Sequence, residues 1–472
     1  MQYKKLFKNT GLLAMSNFSS KILVFLLVPL YTDVLSTAEY GIYDLVYTTI
    51  QLLYPILTIG ICDAVMRYVM VKEKYNDKEV FSIGLWICII AGILFTIGLW
   101  EYDYISRSSM IHDYKIWISL YFFAYIFNSL LMQFTKGTDR VFDLSIAGVL
   151  GTVSMLIFNI IFLLIVRCGL KGFFLANILS QSIPCVYIWS RLGLIRKITF
   201  KISKELAKHM ILYSLPLIVN TLGWWFNNTS DRYVVTWLCG VGQNGLISIA
   251  YKIPTIITVL GEIFLQAWQI SVLQEYTEDK KTEMYAKMFD YFNCVICITT
   301  SLLLLLTQPI AKVLFSKDFY NAWIFVPLLL ISAMFNSMAG FVGPLLSAKF
   351  DSRTLAKSAL VGIVVNVVLN ILLTIMFGTI GITIATAIAS FVIYYCREKA
   401  TNKLLRSSQF YKICFSWIIL VAIAINIIEN SLVNYIICFG LLLIVFFIYK
   451  KIICDGWIFL KKILFKGRKI NE

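Results

Sequence analysis

Long apolar runs alternate with short polar segments from Gly11 to Tyr449. Most of the runs reach about 20 residues, which as an α-helix is enough to cross the ~30 Å hydrocarbon core of a bilayer. The pattern predicts about fourteen membrane-spanning helices and no soluble domain, because the segments between the runs are short. The spans are predicted at about 11–35, 41–66, 80–100, 114–134, 142–166, 169–190, 207–235, 244–272, 288–315, 320–346, 355–377, 380–396, 411–428 and 431–449.

Positive charge follows the same alternation. Every second gap between the apolar runs is rich in Lys and Arg, from Lys4 near the start to the basic segment after Tyr449. Because cytoplasmic loops of membrane proteins carry the excess of Lys and Arg, both termini are predicted to be cytoplasmic, in a bacterial inner membrane. The loops predicted on the opposite side contain few basic residues: Arg107, Lys115, Arg167, Lys171 and Lys317.

The composition agrees with lipid as the solvent. Of the 472 residues, 59% are hydrophobic and 14% are charged, whereas soluble domains carry about 25% charged residues. The formal net charge of +16 lies between the predicted spans. We therefore attribute it to topology and to anionic lipid headgroups rather than to nucleic acid.

The sequence predicts no cofactor and no metal site. Only two histidines are present, His112 and His209, which leaves little material for a His-based metal or catalytic site. Cys294 and Cys297 have a redox-like spacing, but they lie within a predicted span and without a βαβ context. We interpret this pair as core packing.

The two halves of the chain contain a collinear repeat. Six spans in each half make the two repeats run in the same direction through the membrane, about an axis along the bilayer normal. We predict one six-helix lobe at 1–196, a second at 197–406, two further helices at 407–450 and a basic tail at 451–472, which is either an amphipathic surface helix or a frayed end. The aligned pairs are Gly41 with Gly245, Tyr47 with Tyr251, Glu79 with Glu283, Gly151 with Gly362, Asn159 with Asn370, Gly169 with Gly378 and Gly172 with Gly381.

Polar side chains recur at helical spacing in four predicted spans, the first, second, seventh and eighth. Such residues are costly in a bilayer, so they normally face a partner or a wet cavity. Since these spans are equivalent pairs in the two halves, we expect them to line a central cavity between the lobes. The faces comprise Asn17 and Lys21; Asp44, Thr48, Gln51 and Thr58; Asn220, Trp224, Asn227 and Asp231; and Lys252, Thr255, Glu262, Gln266 and Gln269.

The charges on these faces suggest an anionic ligand. Lys21 and Lys252, with Arg232, are candidates to bind a phosphate group. For the two lysines the alternative is snorkelling or a local carboxylate partner, and for Arg232 it is a structural pair with its neighbour Asp231. The acidic residues Asp44, Asp231 and Glu262 are candidates for ion coupling, and burial of Glu262 would favour its protonated form. Prolines in or near the spans are predicted to kink helices: Pro29, Pro55, Pro216 and Pro254.

Three stretches resemble the bacterial O-antigen, capsule and exopolysaccharide flippases of the multidrug/oligosaccharidyl-lipid/polysaccharide exporter superfamily. The first runs from Ser20-Lys21-Ile22 through Leu27-Val28-Pro29-Leu30-Tyr31-Thr32 to Glu39-Tyr40-Gly41. The second contains Tyr213-Ser214-Leu215-Pro216-Leu217, Asn220, Trp224, Trp225 and Ser230-Asp231-Arg232-Tyr233, and the third extends from Tyr251-Lys252-Ile253-Pro254 to Phe264-Leu265-Gln266-Ala267-Trp268-Gln269. The resemblance covers essentially the whole chain.

This resemblance implies a two-lobed helical transporter that moves undecaprenyl-diphosphate-linked oligosaccharide from the cytoplasmic to the outer leaflet. Lys21 and Lys252 would then contact the diphosphate. Membrane lipids, a polysaccharide polymerase and other assembly proteins would be its partners. Glu262 lies where we expect a small residue, so the resemblance assigns it no general role. The residues expected to face the sugars or the cavity are Asn220, Trp224, Trp225 and Gln266.

Other functions remain open at this point. A lipid II flippase of peptidoglycan synthesis would also handle a polyprenyl diphosphate. An ion-coupled multidrug exporter of the same superfamily would have an acidic cavity and about twelve spans, so Lys21, Lys252 and the two additional spans count against it. A membrane enzyme is less consistent with the sequence, since a polymerase would carry a large outer loop and an acyltransferase a histidine within a span.

Overall fold

The computed structural model describes residues 25–71, 75–106, 109–200, 202–275, 282–349, 351–401, 405, 410–429 and 431–468. These residues form helices and turns and no β-strand, which confirms the predicted all-α fold. The helices are α1 (Val28–Val34), α2 (Thr37–Leu57), α3 (Ile61–Met70), α4 (Asp77–Ser106), α5 (Lys115–Gly137), α6 (Val141–Asn159), α7 (Gly169–Leu192), α8 (Lys204–Cys239), α9 (Val241–Ala250), α10 (Thr255–Glu275), α11 (Thr282–Leu305), α12 (Thr307–Leu314), α13 (Val326–Ala348), α14 (Ser352–Phe377), α15 (Thr379–Ala400), α16 (Phe410–Asn426) and α17 (Leu432–Arg468).

The protein is a multi-pass membrane protein. Within the described residues, ten helices are long and apolar enough to cross a membrane, or up to twelve if each of two bent pairs is one span. These twelve match the predicted second to sixth and eighth to fourteenth spans. The predicted first span begins outside the described residues, and α8 is helical over 36 residues but too polar to pass the same test. The count of fourteen stays a prediction.

Two of the predicted spans are broken. The axes of α2 and α3 differ by 57°, because Pro55 precedes a turn in which Ile59 and Gly60 have positive φ angles of 54° and 62°. Ser214 on α8 donates a 2.6 Å hydrogen bond to the freed carbonyl oxygen of Ile59. The axes of α9 and α10 differ by 47° at a break that ends in Pro254. The predicted kinks at these two prolines are confirmed, whereas α8 continues unbroken through Pro216.

Contacts within the chain divide it into two compact units. Unit 1 lies within Met1–Thr236, Gly240–Gly245 and Ser316–Asp318, and unit 2 lies within Trp237–Cys239, Leu246–Phe315 and Phe319–Glu472. By its contacts, most of α8 therefore belongs with the first unit, although the sequence repeat places it in the second half. The predicted lobe boundaries after residues 196 and 406 remain predictions, because a repeat is defined by sequence correspondence and not by contact.

Each unit contains the same close helix contact at repeat-equivalent positions. In unit 1, a methyl group added to Gly151 on α6 would lie 3.2 Å from Cγ of Pro184 on α7; in unit 2, one added to Gly362 on α14 would lie 2.3 Å from Cγ1 of Ile393 on α15. These distances show that both helix pairs pack closely at the aligned glycines. A left-handed glycine also begins or precedes the second helix of each pair: Gly169 (φ 55°) and Gly378 (φ 63°).

Within unit 2, a buried polar network joins the two C-terminal helices to α11. Asn293 on α11 donates a 2.6 Å hydrogen bond to the Tyr449 hydroxyl of α17 and accepts a 3.0 Å bond from the indole N–H of Trp417 on α16. Ser416 on α16 completes the network at 2.8 Å from the Tyr449 hydroxyl. Since Asn293, Ser416 and Tyr449 are fully buried, these bonds satisfy groups that would otherwise be costly inside the protein.

The last helix, α17, is continuous over 37 residues from Leu432 to Arg468. A frayed end is therefore wrong for the part of the basic tail that the structure describes, since that backbone is helical as far as Arg468. The predicted packing role of the Cys294–Cys297 pair is confirmed, because both thiols are buried and unbridged in α11.

Candidate functional site

Three charged side chains meet inside unit 1 and are named here the charged cluster: Asp44, Asp231 and Arg232. Asp44 lies on α2, and the other two lie near the end of α8. Nε of Arg232 is 3.1 Å from Oδ2 of Asp44, and Nη1 is 3.1 Å from Oδ2 of Asp231. Only 10% of the Arg232 side chain and 16% of the Asp44 side chain are exposed, so water screens these charges poorly.

The cluster adjoins a point where two helix backbones touch. A methyl group on Gly41 of α2 would lie 2.0 Å from the carbonyl oxygen of Val241, and one on Gly245 of α9 would lie 2.0 Å from that of Thr37. Only glycine permits this approach. The contact is symmetric, because one and the same repeat offset relates Thr37 to Val241 and Gly41 to Gly245. Repeat-equivalent residues therefore face each other at this crossing.

Asn244 links this crossing to the charged cluster. Its side-chain N–H group donates a 3.1 Å hydrogen bond to the carbonyl oxygen of Gly41 and also lies 3.4 Å from Oδ2 of Asp44. The residue is fully buried. A change in the separation of α2 and α9 would therefore alter the surroundings of the Asp44 carboxylate.

Side chains from α8 hold the adjacent turn of α2. The indole N–H of Trp225 donates a 2.9 Å hydrogen bond to the carbonyl oxygen of Thr48, and the hydroxyls of Tyr233 and Thr49 lie 2.6 Å apart. These contacts fix the register of α2 against α8. The expectation that Trp225 faces sugars or a cavity is wrong, because the ring is buried and its only polar atom is bonded to the backbone of α2.

The charged cluster leaves Arg232 already paired. Two carboxylates flank one guanidinium, so the structure favours the alternative in which this side chain is neutralised locally. Removing one member of such a buried pair costs about 3–5 kcal/mol, because the remaining charge is left uncompensated.

The predicted polar face of the eighth span is divided in unit 2. Lys252 is half-buried and lies in the break between α9 and α10, so helical spacing does not align it with the residues of α10. Glu262 and Gln266 lie on α10 and are exposed. The burial expected for Glu262 is therefore not observed.

The remaining predicted site residues are not placed as side chains. Asn17 and Lys21 lie outside the described residues. Asn220, Trp224 and Asn227 occupy successive turns of α8, where only the backbone is described. Whether they form the predicted stripe with Asp231 stays a prediction. No group of three His, Cys, Asp or Glu side chains in the described part of the chain is arranged to hold a metal ion.

Sequence reasoning missed Asn244 and Tyr233 as partners of the polar face on α2. A signal for Asn244 was present, because it directly precedes Gly245 in the aligned repeat. The pairing of Asp44 with Arg232 had no local signal, since 188 positions separate the two residues in the chain. Only the fold brings them together.

Comparison with known proteins gives one family and one fold. The model of a family described as polysaccharide biosynthesis protein matches residues 6–269. No curated protein matches the sequence.

Among solved structures, an inward-facing multidrug resistance MATE family transporter of the MOP superfamily is similar, with a TM-score of 0.65 and 15% identity over 82% of this chain and 96% of that chain. An outward-facing structure of such a transporter has a TM-score of 0.55 and 16% identity over 84% and 95% of the two chains. A MOP superfamily transporter from Pyrococcus furiosus Vc1 (DSM3638), described as having a binding pocket of reverse polarity, has a TM-score of 0.51 and 15% identity over 84% and 95%. At these identities the likeness shows the fold alone.

Proposed function

Because the chain belongs to the polysaccharide biosynthesis protein family, whose model matches residues 6–269, and has the fold of MOP superfamily transporters, we propose that it is a flippase. Its substrate is an undecaprenyl-diphosphate-linked oligosaccharide, which it moves from the cytoplasmic to the outer leaflet of a bacterial inner membrane. The products serve the synthesis of a surface polysaccharide such as O-antigen, lipopolysaccharide or capsule. The solved structures that share this fold are transporters, which supports a transport role.

The observation that carries this proposal is the charged cluster in a chain of this family. Asp231 and Arg232 are buried and Asp44 is half-buried in a helical membrane fold, where charged side chains are rare unless they have a function. They lie beside the crossing of repeat-equivalent helices, where a relative movement of α2 and α9 would be felt first. The position of these charges beside a symmetric helix crossing supports the proposal that the protein transports its substrate by alternating access.

In the proposed mechanism, Lys21 and Lys252 bind the diphosphate from the two halves of the chain. A diphosphate carries more charge than a carboxylate and accepts paired hydrogen bonds from a guanidinium, so it competes with Asp44 and Asp231 for Arg232. Protonation of either carboxylate shifts this competition toward the substrate. The cluster thus couples occupancy to an ion, with Glu262 as a further candidate on α10.

The proposal also includes the substrate contacts predicted from the sequence for the first, seventh and eighth spans. Asn17 supports Lys21 on the first span, and Asn220, Trp224, Asn227 and Gln266 face the cavity or the sugars. Both termini are cytoplasmic, in agreement with the distribution of Lys and Arg. Membrane lipids, a polysaccharide polymerase and other assembly proteins are the expected partners.

The test is reconstitution of the purified protein in liposomes with defined lipid-linked glycans, followed by an assay of leaflet accessibility. The wild type is expected to move an undecaprenyl-diphosphate oligosaccharide between leaflets. Lys21→Ala and Lys252→Ala are expected to abolish movement while the protein still inserts, because each removes a proposed diphosphate contact. Arg353→Ala, which removes an exposed cation in the first turn of α14, is the matched control. Full activity of both lysine variants would refute the diphosphate site.

Two alternatives are separate arms of the same experiment. Lipid II is offered in place of the lipid-linked oligosaccharide, since it carries the same diphosphate. A cationic drug is offered with an imposed proton gradient, since the fold relatives include multidrug transporters and the cluster contains two carboxylates. If only the drug is moved, the result would identify the protein as a multidrug exporter. If only lipid II is moved, the result would identify it as a flippase of peptidoglycan synthesis.

A further inference from the structure

The helix α2 carries further polar side chains next to the charged cluster, about one to three turns after Asp44. Tyr47, Gln51 and Tyr54 follow one another at spacings of four and three, so they lie on one side of α2. All three side chains are half-buried. None of them carries a charge at neutral pH, which distinguishes them from the nearby Asp44.

Neutral polar side chains of α5 and α7 stand opposite this face within unit 1. The rings of Tyr54 and Tyr125 meet edge to face with centroids 5.5 Å apart, and the Gln51 amide interacts with the hydroxyls of Tyr47 and Tyr125. A third wall comes from α7, where Gln181 accepts a hydrogen bond from the side-chain N–H of Asn128 on α5. We name the set the tyrosine–amide face: Tyr47, Gln51, Tyr54, Tyr125, Asn128 and Gln181.

The base of this face is closed by a bonded and better buried group. The Tyr43 hydroxyl donates a 3.0 Å hydrogen bond to Oδ1 of Asn177 and lies 3.5 Å from the hydroxyl of the buried Tyr121. The Tyr43 ring stacks on Tyr47 with a centroid distance of 6.1 Å. Packing therefore fixes the rings of the face before any ligand arrives, which lowers the entropic cost of binding.

The hydrogen-bonding capacity of the face is only partly used. Gln181 accepts through its carbonyl oxygen, but among the described residues nothing accepts from its amide N–H groups. In a membrane protein such a group is costly unless it meets water or a ligand. All six side chains remain half-buried rather than sealed, so the face is accessible.

We propose that the tyrosine–amide face binds the neutral sugar portion of the transported glycan; this inference rests on the proposed function. Tyrosine rings offer rigid amphipathic surface against the C–H faces of a sugar ring, and amide groups supply both donors and acceptors for its hydroxyls. The charged cluster, by contrast, suits the diphosphate. The charged cluster and the tyrosine–amide face, which are neighbours along α2, thus divide the substrate between a charged subsite and a neutral one.

The test compares binding of two probes to the full-length protein in detergent. The first probe is a panel of short neutral oligosaccharides, and the second is undecaprenyl diphosphate without sugar. Tyr47→Phe and Gln181→Leu each remove hydrogen-bonding groups and are expected to weaken oligosaccharide binding about 3- to 10-fold, as the loss of one bond does. Undecaprenyl diphosphate binding is expected to be unchanged. Tyr102→Phe, which removes an exposed hydroxyl at the end of α4, is the matched control.

The possible results distinguish a failure of the proposed sugar subsite from a failure of the proposed flippase function. Equal oligosaccharide affinity in the wild type, Tyr47→Phe and Gln181→Leu would overturn the subsite while leaving the flippase proposal intact, and so would a wild type that binds only the lipid. A wild type that binds neither probe would overturn the proposed function itself. Should Gln181→Leu lower the unfolding temperature, Tyr47→Phe carries the comparison, because it deletes only one oxygen atom.

Discussion

The symmetric glycine crossing makes a quantitative prediction. Replacing Gly41 or Gly245 by alanine places a methyl carbon 2.0 Å from a backbone carbonyl oxygen of the other helix. Real carbon–oxygen contacts are at least about 3.0 Å, so α2 and α9 must move apart by about 1 Å. The helices themselves must move, because the atoms nearest to each added methyl group belong to the backbone and not to a flexible side chain. The 3.1 Å hydrogen bond from Asn244 to the Gly41 carbonyl would stretch beyond useful length.

The magnitude follows from two opposing terms. Overpacking a close contact costs about 1–3 kcal/mol, whereas alanine in place of glycine within a helix gains about 1 kcal/mol. Gly98 on α4 has no atom within 4 Å of an added methyl group, so Gly98→Ala should show the gain alone. The free energy of overpacking is then the difference between the change in unfolding free energy of a crossing variant and that of Gly98→Ala.

The assay is thermal unfolding of the purified variants in one detergent, with export measured alongside. For units of this size, about 1–3 kcal/mol corresponds to an unfolding midpoint lower by roughly 2–12 °C than that of Gly98→Ala. Gly41→Ala and Gly245→Ala should be equally affected, because the contact is symmetric. The unfolding midpoint of the double variant should fall by less than the sum of the decreases in the two single variants, because the first methyl group already separates the helices. Midpoints equal to that of Gly98→Ala would refute the crossing.

Three further predictions concern buried and capping groups. Asp44→Asn and Arg232→Gln should each destabilise the protein by about 3–5 kcal/mol, but the double variant by less than their sum; additive losses in thermal unfolding would exclude the pair. Tyr449→Phe should lower the unfolding midpoint and speed proteolysis of the two C-terminal helices, because it leaves Asn293 without an acceptor; unchanged proteolysis would contradict the network. Hydrogen bonds from the side chain and backbone of Thr354 hold the pKa of Asp351 below its usual range, so the cap contributes stability above that usual range and loses it as the pH falls through the lowered pKa. Asp351→Asn should therefore be less stable than the wild type at neutral pH and equally stable at strongly acidic pH, and a pH-independent difference would contradict the ionised cap.

Sequence predicted the parts of this fold that depend on local chemistry. Apolar length located the spans, and Pro55 and Pro254 marked the two breaks because their missing N–H groups interrupt helical bonding. The alignment of Gly41 with Gly245 identified the residues that meet, although not that they meet each other. At Pro216 the helix α8 is not broken, since membrane helices tolerate proline within them, and a kink there stays a prediction.

The site depends on contacts that no local pattern encodes. Helical spacing placed Lys252 on one face with Glu262, but the break between α9 and α10 removes the regular geometry on which that argument relied. Arg232 was assigned to a ligand or to its neighbour, and its second partner, Asp44, became visible only in the fold. Side-chain pairing across helices is set by packing, and packing is a property of the whole unit.

The length of α17 has a practical consequence. Its 37 residues extend about 55 Å, while a bilayer with its headgroups is about 40–45 Å thick. At an ordinary tilt, one end therefore projects past the lipid surface as a rigid spacer. A fluorescent reporter fused after this helix would be carried clear of the membrane, and its accessibility to an added quencher would reveal on which side the chain ends.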